Sequence, residues 1–219
     1  MNKFSAMAHT AYKKGVCTMA VNFSESKTKE NLMRAFAGES QARNRYTIGA
    51  ERAREEGMRT ISDIFLYTAD QERAHAGRFY DLLKELSGET IHIDGAYPID
   101  QQDSIAGLLR AAQHNEHEEY ADVYQSFGDT AKEEGFLEIA SAFYQIAEIE
   151  HIHEERFGKL AQMLEENTYY ASESVSVWMC TNCGYVHEGI QAPKVCPVCR
   201  HDQGYFIPYS LACYKTSDQ

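Results

Sequence analysis

The sequence predicts an all-α four-helix bundle followed by a small β domain built around four cysteines. Three observations carry this. Four stretches place apolar residues three and four apart, the period of one helix face. Two of those stretches are related by an internal repeat, in which residues 53–79 match 131–157 without a gap at 11 of 27 positions. Beyond Trp178 the composition changes to short segments punctuated by Gly and Pro, with two C-x-x-C pairs.

Length and composition set the bounds. The 219 residues are 43% hydrophobic and 11% aromatic, enough for one core-forming domain and a smaller companion. A net charge of −12 argues against nucleic acid and anionic membranes as partners. No apolar run approaches the roughly 18–20 residues of a membrane span. Val16–Val21 is too short and broken for a signal peptide. Four of the six cysteines lie in C-x-x-C pairs, which suits metal binding in a reducing, cytoplasmic setting better than disulfides.

Residues 1–23 have no period and read as a tail. The bundle is expected over 24–166. Ser24 to Thr28 offer N-caps for the first helix, whose inward face is read as Leu32, Phe36, Glu39, Arg43, Tyr46, Ala50 and Ala53. Gly57 ends it as a left-handed cap. The second helix is expected from Arg59 to Leu86, with Ile61, Phe65, Thr68, Glu72, His75, Phe79, Leu82 and Leu86 on one face. Gly88 to Pro98 forms a longer connection. The third helix is expected from near Asp100 to Glu133-Glu134-Gly135, with Ile105, Leu109, Ala112, Glu116, Glu119 and Val123 inward. The fourth runs from Phe136 to Glu165 with Ile139, Phe143, Ile146, Glu150, His153, Phe157, Leu160 and Leu164 inward. Residues 167–177 read as a linker, 178–210 as the small domain, and 211–219 as a C-terminal tail.

The repeat has one irregularity. Glu39 precedes Gly57 by 18 residues, whereas Glu116 precedes Gly135 by 19. One extra residue within a helix is what a π-turn adds, and such turns often sit at functional sites.

Glu72-x-x-His75 and Glu150-x-x-His153 are the same motif, each inside an apolar stripe. Buried and unpaired, these groups would cost several kcal/mol. With Glu39, Glu116 and Glu119 they form five carboxylates and two imidazoles on inward faces. One Glu from each of two helices plus Glu-x-x-His from the other two is the donor pattern of ferritin-like di-iron proteins. Carboxylate-rich ligation suits iron or manganese. Tyr46 and Tyr124 are placed to hydrogen-bond ligating carboxylates, or to be plain core residues. His114, His117 and His151 point off the stripes and are expected to be exposed. Cys180-x-x-Cys183 and Cys196-x-x-Cys199 make a four-thiolate site, open to structural zinc or to a one-electron iron. Cys17 and Cys213 lie outside it and are given no role.

The motifs A-F-A-G-E-S-Q-A-R-N-R-Y (35–46), D-Q-E-R-A-H (70–75), E-H-E-E-Y (116–120), E-H-I-H (150–153), and W-M-C-T-N-C-G-Y with C-P-V-C resemble the rubrerythrin family over about residues 25–207. That resemblance implies a ferritin-like bundle holding two non-haem irons and a rubredoxin-like domain holding one iron on four cysteines. It implies reduction of hydrogen peroxide to water, with electrons from NAD(P)H through a reductase or rubredoxin. It also implies a head-to-tail homodimer. By the same resemblance Glu72 and Glu150 bridge the irons, while Glu39, Glu116, Glu119, His75 and His153 complete the ligands. Glu119 and His75 would exchange on one iron, and Tyr46 and Tyr124 would support the ligands from behind. Two other readings stay open: a ferroxidase or iron-handling protein, and an electron carrier.

Overall fold

The computed structural model describes residues 21–213, so Cys17 and most of the expected N-terminal tail lie outside the described residues. The chain forms a helical bundle and a small antiparallel sheet, as the sequence predicts. Helix α1 spans Lys27–Glu55, α2 Arg59–Leu82, α3 Ile105–Glu118, α4 Tyr124–Glu133 and α5 Leu137–Glu165. Between α3 and α4, Glu119–Val123 is a π-helical turn, so the third helix of the bundle carries the inserted residue that the repeat spacing indicates. The helices pack as two pairs, α1 against α2, and α3–α4 against α5.

The helix ends follow from local chemistry. Ser26 caps α1 by accepting the Lys29 N–H, and Ser104 caps α3 by accepting the Gly107 N–H. Gly57 and Gly135 end the first helix of each pair with φ of 75° and 93°. Both positions are left-handed, where a side chain is strained.

Several expectations need correction. Phe23, read as tail, is buried in a 3-10 turn, Phe23–Glu25, with its ring 5.3 Å from Phe136. Arg43 is exposed and Phe36 only half-buried, because the buried strip of α1 runs through Ala35, Gly38, Glu39, Ala42, Tyr46, Gly49, Ala50 and Ala53. Small residues there let α2 approach closely. The α part of the second helix stops at Leu82 and continues as a 3-10 turn, Lys84–Leu86. The third helix starts at Ile105 rather than near Asp100. Asp100 is instead held by Arg45 and by the Asn115 amide at 2.7 Å. Leu82, Leu164 and Val123 are half-buried, whereas the other expected apolar residues of those three faces are buried.

The bundle core divides into two apolar clusters, one at each end. The first centres on Tyr46, Phe65, Leu109 and Phe157, the second on Leu32, Phe79, Tyr124 and Phe143. The buried acids and histidines lie between them.

Residues 167–177 are not a continuous linker: strand β1 already begins at Ala171 and runs to Cys180. It pairs antiparallel with β2 (Val186–Gln191) on one side and β3 (Phe206–Pro208) on the other. The sheet encloses Trp178, Cys180, Cys196 and Phe206. The Trp178 indole N–H donates to the Tyr169 carbonyl at 2.9 Å, tying the sheet to the segment that leaves α5.

The small domain sits on the α1–α2 corner of the bundle. Thr60 Oγ1 lies 2.9 Å from the Tyr169 hydroxyl and donates to the Phe206 carbonyl at 3.3 Å. A Cβ on Gly204 would overlap the Gly57 carbonyl oxygen, so glycine is required at this contact. Leu211, expected in a free tail, packs against the bundle's first cluster.

Candidate metal centres

Six of the seven predicted bundle ligands are buried: Glu39, Glu72, His75, Glu116, Glu150 and His153. They converge because α1, α2 and α5 near mid-length, and α3 in its last turn, each turn one face inward. Two sets of donors result. Glu39, Glu72, His75 and Glu150 offer atoms within 4.8 Å of one another, and so do Glu72, Glu116, Glu150 and His153. Glu72 and Glu150 belong to both sets. They are the paired glutamates of the repeat, so the pseudo-twofold passes between the two sets.

His75 Nδ1 lies 3.1 Å from Glu72 Oε2 and 3.0 Å from Glu150 Oε1. His153 Nδ1 lies 3.0 Å from Glu72 Oε1 and 2.8 Å from Glu150 Oε2. The two imidazoles face each other nearly parallel, with centroids 5.8 Å apart. Despite these distances, Glu39 Oε2, Glu72 Oε1, Glu116 Oε2, both Glu150 oxygens and both His153 nitrogens have no aligned hydrogen-bond partner. Close approach without hydrogen-bond direction is what lone pairs aimed at common points produce. So many unsatisfied buried polar atoms would be costly in an ordinary core. The set therefore fits two cations, and its carboxylate and imidazole chemistry fits iron.

The electrostatics show the strain of the metal-free cluster. Burial opposes charge on His153, but Glu116, Glu150 and Glu72 override it and push the imidazole up to about 12. His75 is raised in the same way by Glu150, Glu39 and Glu72 against burial. Burial also works against ionised Glu72, yet His153 and His75 hold it down at about 2. Burial and then the charge of Glu72 push Glu116 up to about 8. Glu39 and Glu119 are raised well above the usual carboxylate range, chiefly by burial.

Glu119 stands apart. It lies on the π-turn, belongs to neither donor set, and is the one predicted ligand of the seven that is half-buried rather than fully buried. It lines a cavity of about 270 Å³ together with Gly38, Tyr97, Asn115 and Tyr124.

The two tyrosines take matched positions behind the acids. Tyr46 Oη donates to Glu116 Oε1, and Tyr124 Oη donates to Glu39 Oε1 at 2.6 Å. Burial raises both phenols, first of all, so both keep their protons and remain donors. Each helix pair thus supplies a tyrosine to the glutamate of the other pair.

His114 and His117 are exposed, as expected. His151 is half-buried instead, because its ring stacks on Tyr120 at 4.5 Å and meets Glu154 Oε2 at 3.2 Å.

In the small domain Cys180, Cys183, Cys196 and Cys199 bring their sulfurs within 4.8 Å of one another. Two similar knuckles do this. Gly184 N–H returns to the Cys180 carbonyl at 2.8 Å, and Arg200 N–H to the Cys196 carbonyl at 3.0 Å. Gly184 and Arg200, each just after the second cysteine of its pair, have φ of 78° and 67°. The His201 backbone N–H leads in holding the Cys199 thiol down at about 5, while burial pushes Cys180 up to about 12. Cys213 is exposed and apart from this cluster.

Sequence reasoning missed Gly38, Tyr97 and the Arg45–Asp100–Asn115 group. Only Gly38 left a trace, as a glycine in mid-helix beside Glu39.

A four-helix bundle with a paired carboxylate–imidazole centre, joined to a four-cysteine domain, defines a ferritin-like di-iron protein with a rubredoxin-like module. The comparisons agree. The rubrerythrin family profile matches residues 30–161, and the rubrerythrin rubredoxin-like domain matches residues 178–207. Rubrerythrin of Clostridium perfringens is 48% identical over 182 residues, 83% of this chain and 93% of that protein. Rubrerythrin of Nitratidesulfovibrio vulgaris is 46% identical with the same coverage. The chain belongs to the rubrerythrin family. Among solved structures, mixed-valence nigerythrin matches with a TM-score of 0.56 at 30% identity, over 93% of this chain and all of that one. A Desulfovibrio desulfuricans bacterioferritin, at 23% identity and a TM-score of 0.58, covers 65% of this chain and 82% of its own, and shares the fold.

Proposed function

We propose that this protein is a non-haem di-iron peroxidase. The reaction is H2O2 + 2 e− + 2 H+ → 2 H2O, with both electrons delivered to the O–O bond as it breaks. The observation that carries this reading is the asymmetric centre: two buried donor sets share Glu72 and Glu150, while Glu119 stands outside both and faces a cavity.

Each residue then has a role. Glu72 and Glu150, common to both donor sets, would be shared by the two irons. Glu39 and His75 would hold one iron, and Glu116 and His153 the other. Glu119, outside both sets, would be the carboxylate available to take the place of His75 when the oxidation state changes. Tyr46 Oη and Tyr124 Oη fix Glu116 and Glu39 and keep their own protons. The iron pair, when bound, supplies the two electrons and stabilises the negative charge that develops on oxygen.

Cys180, Cys183, Cys196 and Cys199 would hold an iron suited to passing electrons one at a time from a rubredoxin or an NAD(P)H-dependent reductase. A storage cage would have no use for such a relay, which weighs against a purely ferroxidase role. The small domain sits at the Thr60 end of α2. Twelve residues of helix separate Thr60 from Glu72, about 18 Å at 1.5 Å per residue. A head-to-tail homodimer would bring the partner subunit's four-cysteine site to this di-iron centre instead. Cysteines grouped for metal rather than paired in disulfides suit a cytoplasmic setting. Among the described residues no helix is long and apolar enough to cross a membrane.

The test is peroxide consumption by the iron-loaded protein with a rubredoxin and its reductase. Turnover no faster than free iron would reject the peroxidase. Visible absorption and metal analysis check the relay: a colourless four-cysteine site filled with zinc would remove it. Mixing a Glu150→Ala subunit with a Cys199→Ser subunit checks the dimer, since only transfer between subunits restores activity to such a pair.

A further inference from the structure

The geometry points to Tyr97 as a specificity-determining residue, whose ring, with the gap at Gly38, limits the approach to Glu119 to substrates the size of hydrogen peroxide. This inference rests on the peroxidase reading for its substrate, and on three observations for its geometry.

First, the cavity that reaches Glu119 is roofed by the connection between α2 and α3. Gly95, Ala96, Tyr97 and Pro98 all line it. Second, that connection is strapped to α1 at both ends of the cavity. Arg34 Nη2 donates to Asp94 Oδ1 at 2.6 Å, and its Nε donates to the Asp94 carbonyl at 3.1 Å. At the other end Arg45 pairs with Asp100, which also accepts from Asn115. Tyr97 Oη donates to the Arg34 carbonyl at 3.2 Å, fixing the ring over the opening. An unsupported loop would not hold a ring in one place. This one is tied by two ion pairs and a phenol.

Third, Gly38 is a glycine that neither the backbone nor a packing clash requires. It lies in mid-helix without a positive φ. A Cβ there would meet only Glu119 Oε1 and Tyr97 Cε1, both at the ordinary contact distance of 3.8 Å. A mid-helix glycine costs roughly 0.8–1.0 kcal/mol against alanine. Its effect here is to leave room for about one carbon atom at a point 3.8 Å from both the tyrosine ring and the Glu119 carboxylate. Hydrogen peroxide passes such a gap, whereas a branched alkyl hydroperoxide meets the ring.

Tyr97 acts by shape, so phenylalanine should replace it and alanine should not. The experiment uses the iron-loaded full chain and compares hydrogen peroxide with tert-butyl hydroperoxide, which is reduced to tert-butanol and water by the same two electrons and two protons. A few carbon atoms in a tight passage discriminate by about tenfold or more. Tyr97→Ala should therefore raise kcat/KM for the bulky substrate about tenfold relative to hydrogen peroxide, mainly through KM. Tyr97→Phe should keep the wild-type ratio. Azide binding to the oxidised centre, followed by visible absorption, gives a readout free of turnover. Its association rate should rise in Tyr97→Ala and fall in Gly38→Val. Gly38→Ala, a smaller plug, should lower it less and guards against misfolding of the valine variant. Wild-type selectivity and azide rates in Tyr97→Ala, at full iron content, would overturn the inference. Altered azide rates without peroxide turnover in any variant would retain the gap and reject the peroxidase reading instead.

Discussion

The two helix pairs of the bundle start from one pattern and end differently. In α1–α2 the glutamate, the glycine corner and the Glu-x-x-His motif follow one another on unbroken α-helices. In α3–α5 the same series is interrupted by the π-turn at Glu119–Val123. The first pair places Glu39, Glu72 and His75 in the buried centre. The second places Glu116, Glu150 and His153 there in the same way, and adds Glu119 at the edge of a cavity. Symmetry thus builds the paired donor sets, and one inserted residue gives them a side that faces a cavity.

The comparison breaks most severely at the shared residues. Glu72→Ala or Glu150→Ala removes a donor common to both sets and leaves a facing histidine without its carboxylate. Iron content measured by colorimetry should fall from two toward zero per bundle. Glu39→Ala touches one set only and should lose about one. Equal losses from all three variants would refute the shared-donor arrangement.

The next effect concerns the insertion itself. Deleting Ala121 should restore an α ladder and move Glu119 and Tyr124 out of register with α1. Misplacements of about 1 Å can cost roughly a hundredfold in rate. Peroxide turnover should fall by about that much in the deletion variant. In Glu119→Ala both irons should stay bound while cycling falls similarly. Unchanged turnover in Glu119→Ala would dismiss its exchange with His75.

Smaller changes probe the matched tyrosines. Tyr124→Phe strips Glu39 Oε1 of its donor, and Tyr46→Phe does the same to Glu116 Oε1. Leaving a buried acceptor unpaired costs about 1–3 kcal/mol. Thermal unfolding should show similar losses for the two if the pseudo-twofold extends to them. A large difference would mean that the π-turn side is held more loosely.

The mildest test is pH. In the metal-free protein His153 is raised to about 12 from 6.5, and Glu116 to about 8 from 4.5. Raised values mean the fold gains from these protons at low pH, and loses that gain as pH climbs through 8 and then toward 12. Glu72, held at about 2, contributes in the opposite sense and loses its contribution only below about 4.5. Iron must displace the His153 and Glu116 protons, so loading at pH 7 should release protons. Affinity should strengthen by about tenfold per pH unit for each proton displaced. Calorimetry in buffers of different ionisation enthalpy checks this, and loading without proton release would contradict it.

Much of this was legible because an acid or imidazole in an apolar stripe is costly unless something binds it. Glu72, His75, Glu150 and His153 announced themselves in that way, and the one-residue mismatch of the repeat announced the π-turn. Spacing along the chain is misleading where burial is set by neighbours rather than by period. Arg43 has the spacing of a core position, yet α2 packs closest on the small residues beside it. Asp100 has the look of a helix start, but its carboxylate is taken by Arg45 and Asn115, and Ser104 caps the helix instead. Residues 171–177 are polar enough for a linker, yet their backbone pairs in the sheet.

The motifs carry the family resemblance, and from its own pattern the sequence determined the helices, the bundle donors and the four-thiolate knuckles. Each of these follows from spacing along the chain, because helix period and short knuckle loops are local geometry. Only the tertiary structure decided which donors share a centre, that Glu119 stands outside it, and that Tyr97 closes over the cavity beside Gly38. Those depend on how separate segments meet. The connection that brings Tyr97 there has no period of its own, and is held by ion pairs to a helix more than fifty residues earlier in the chain.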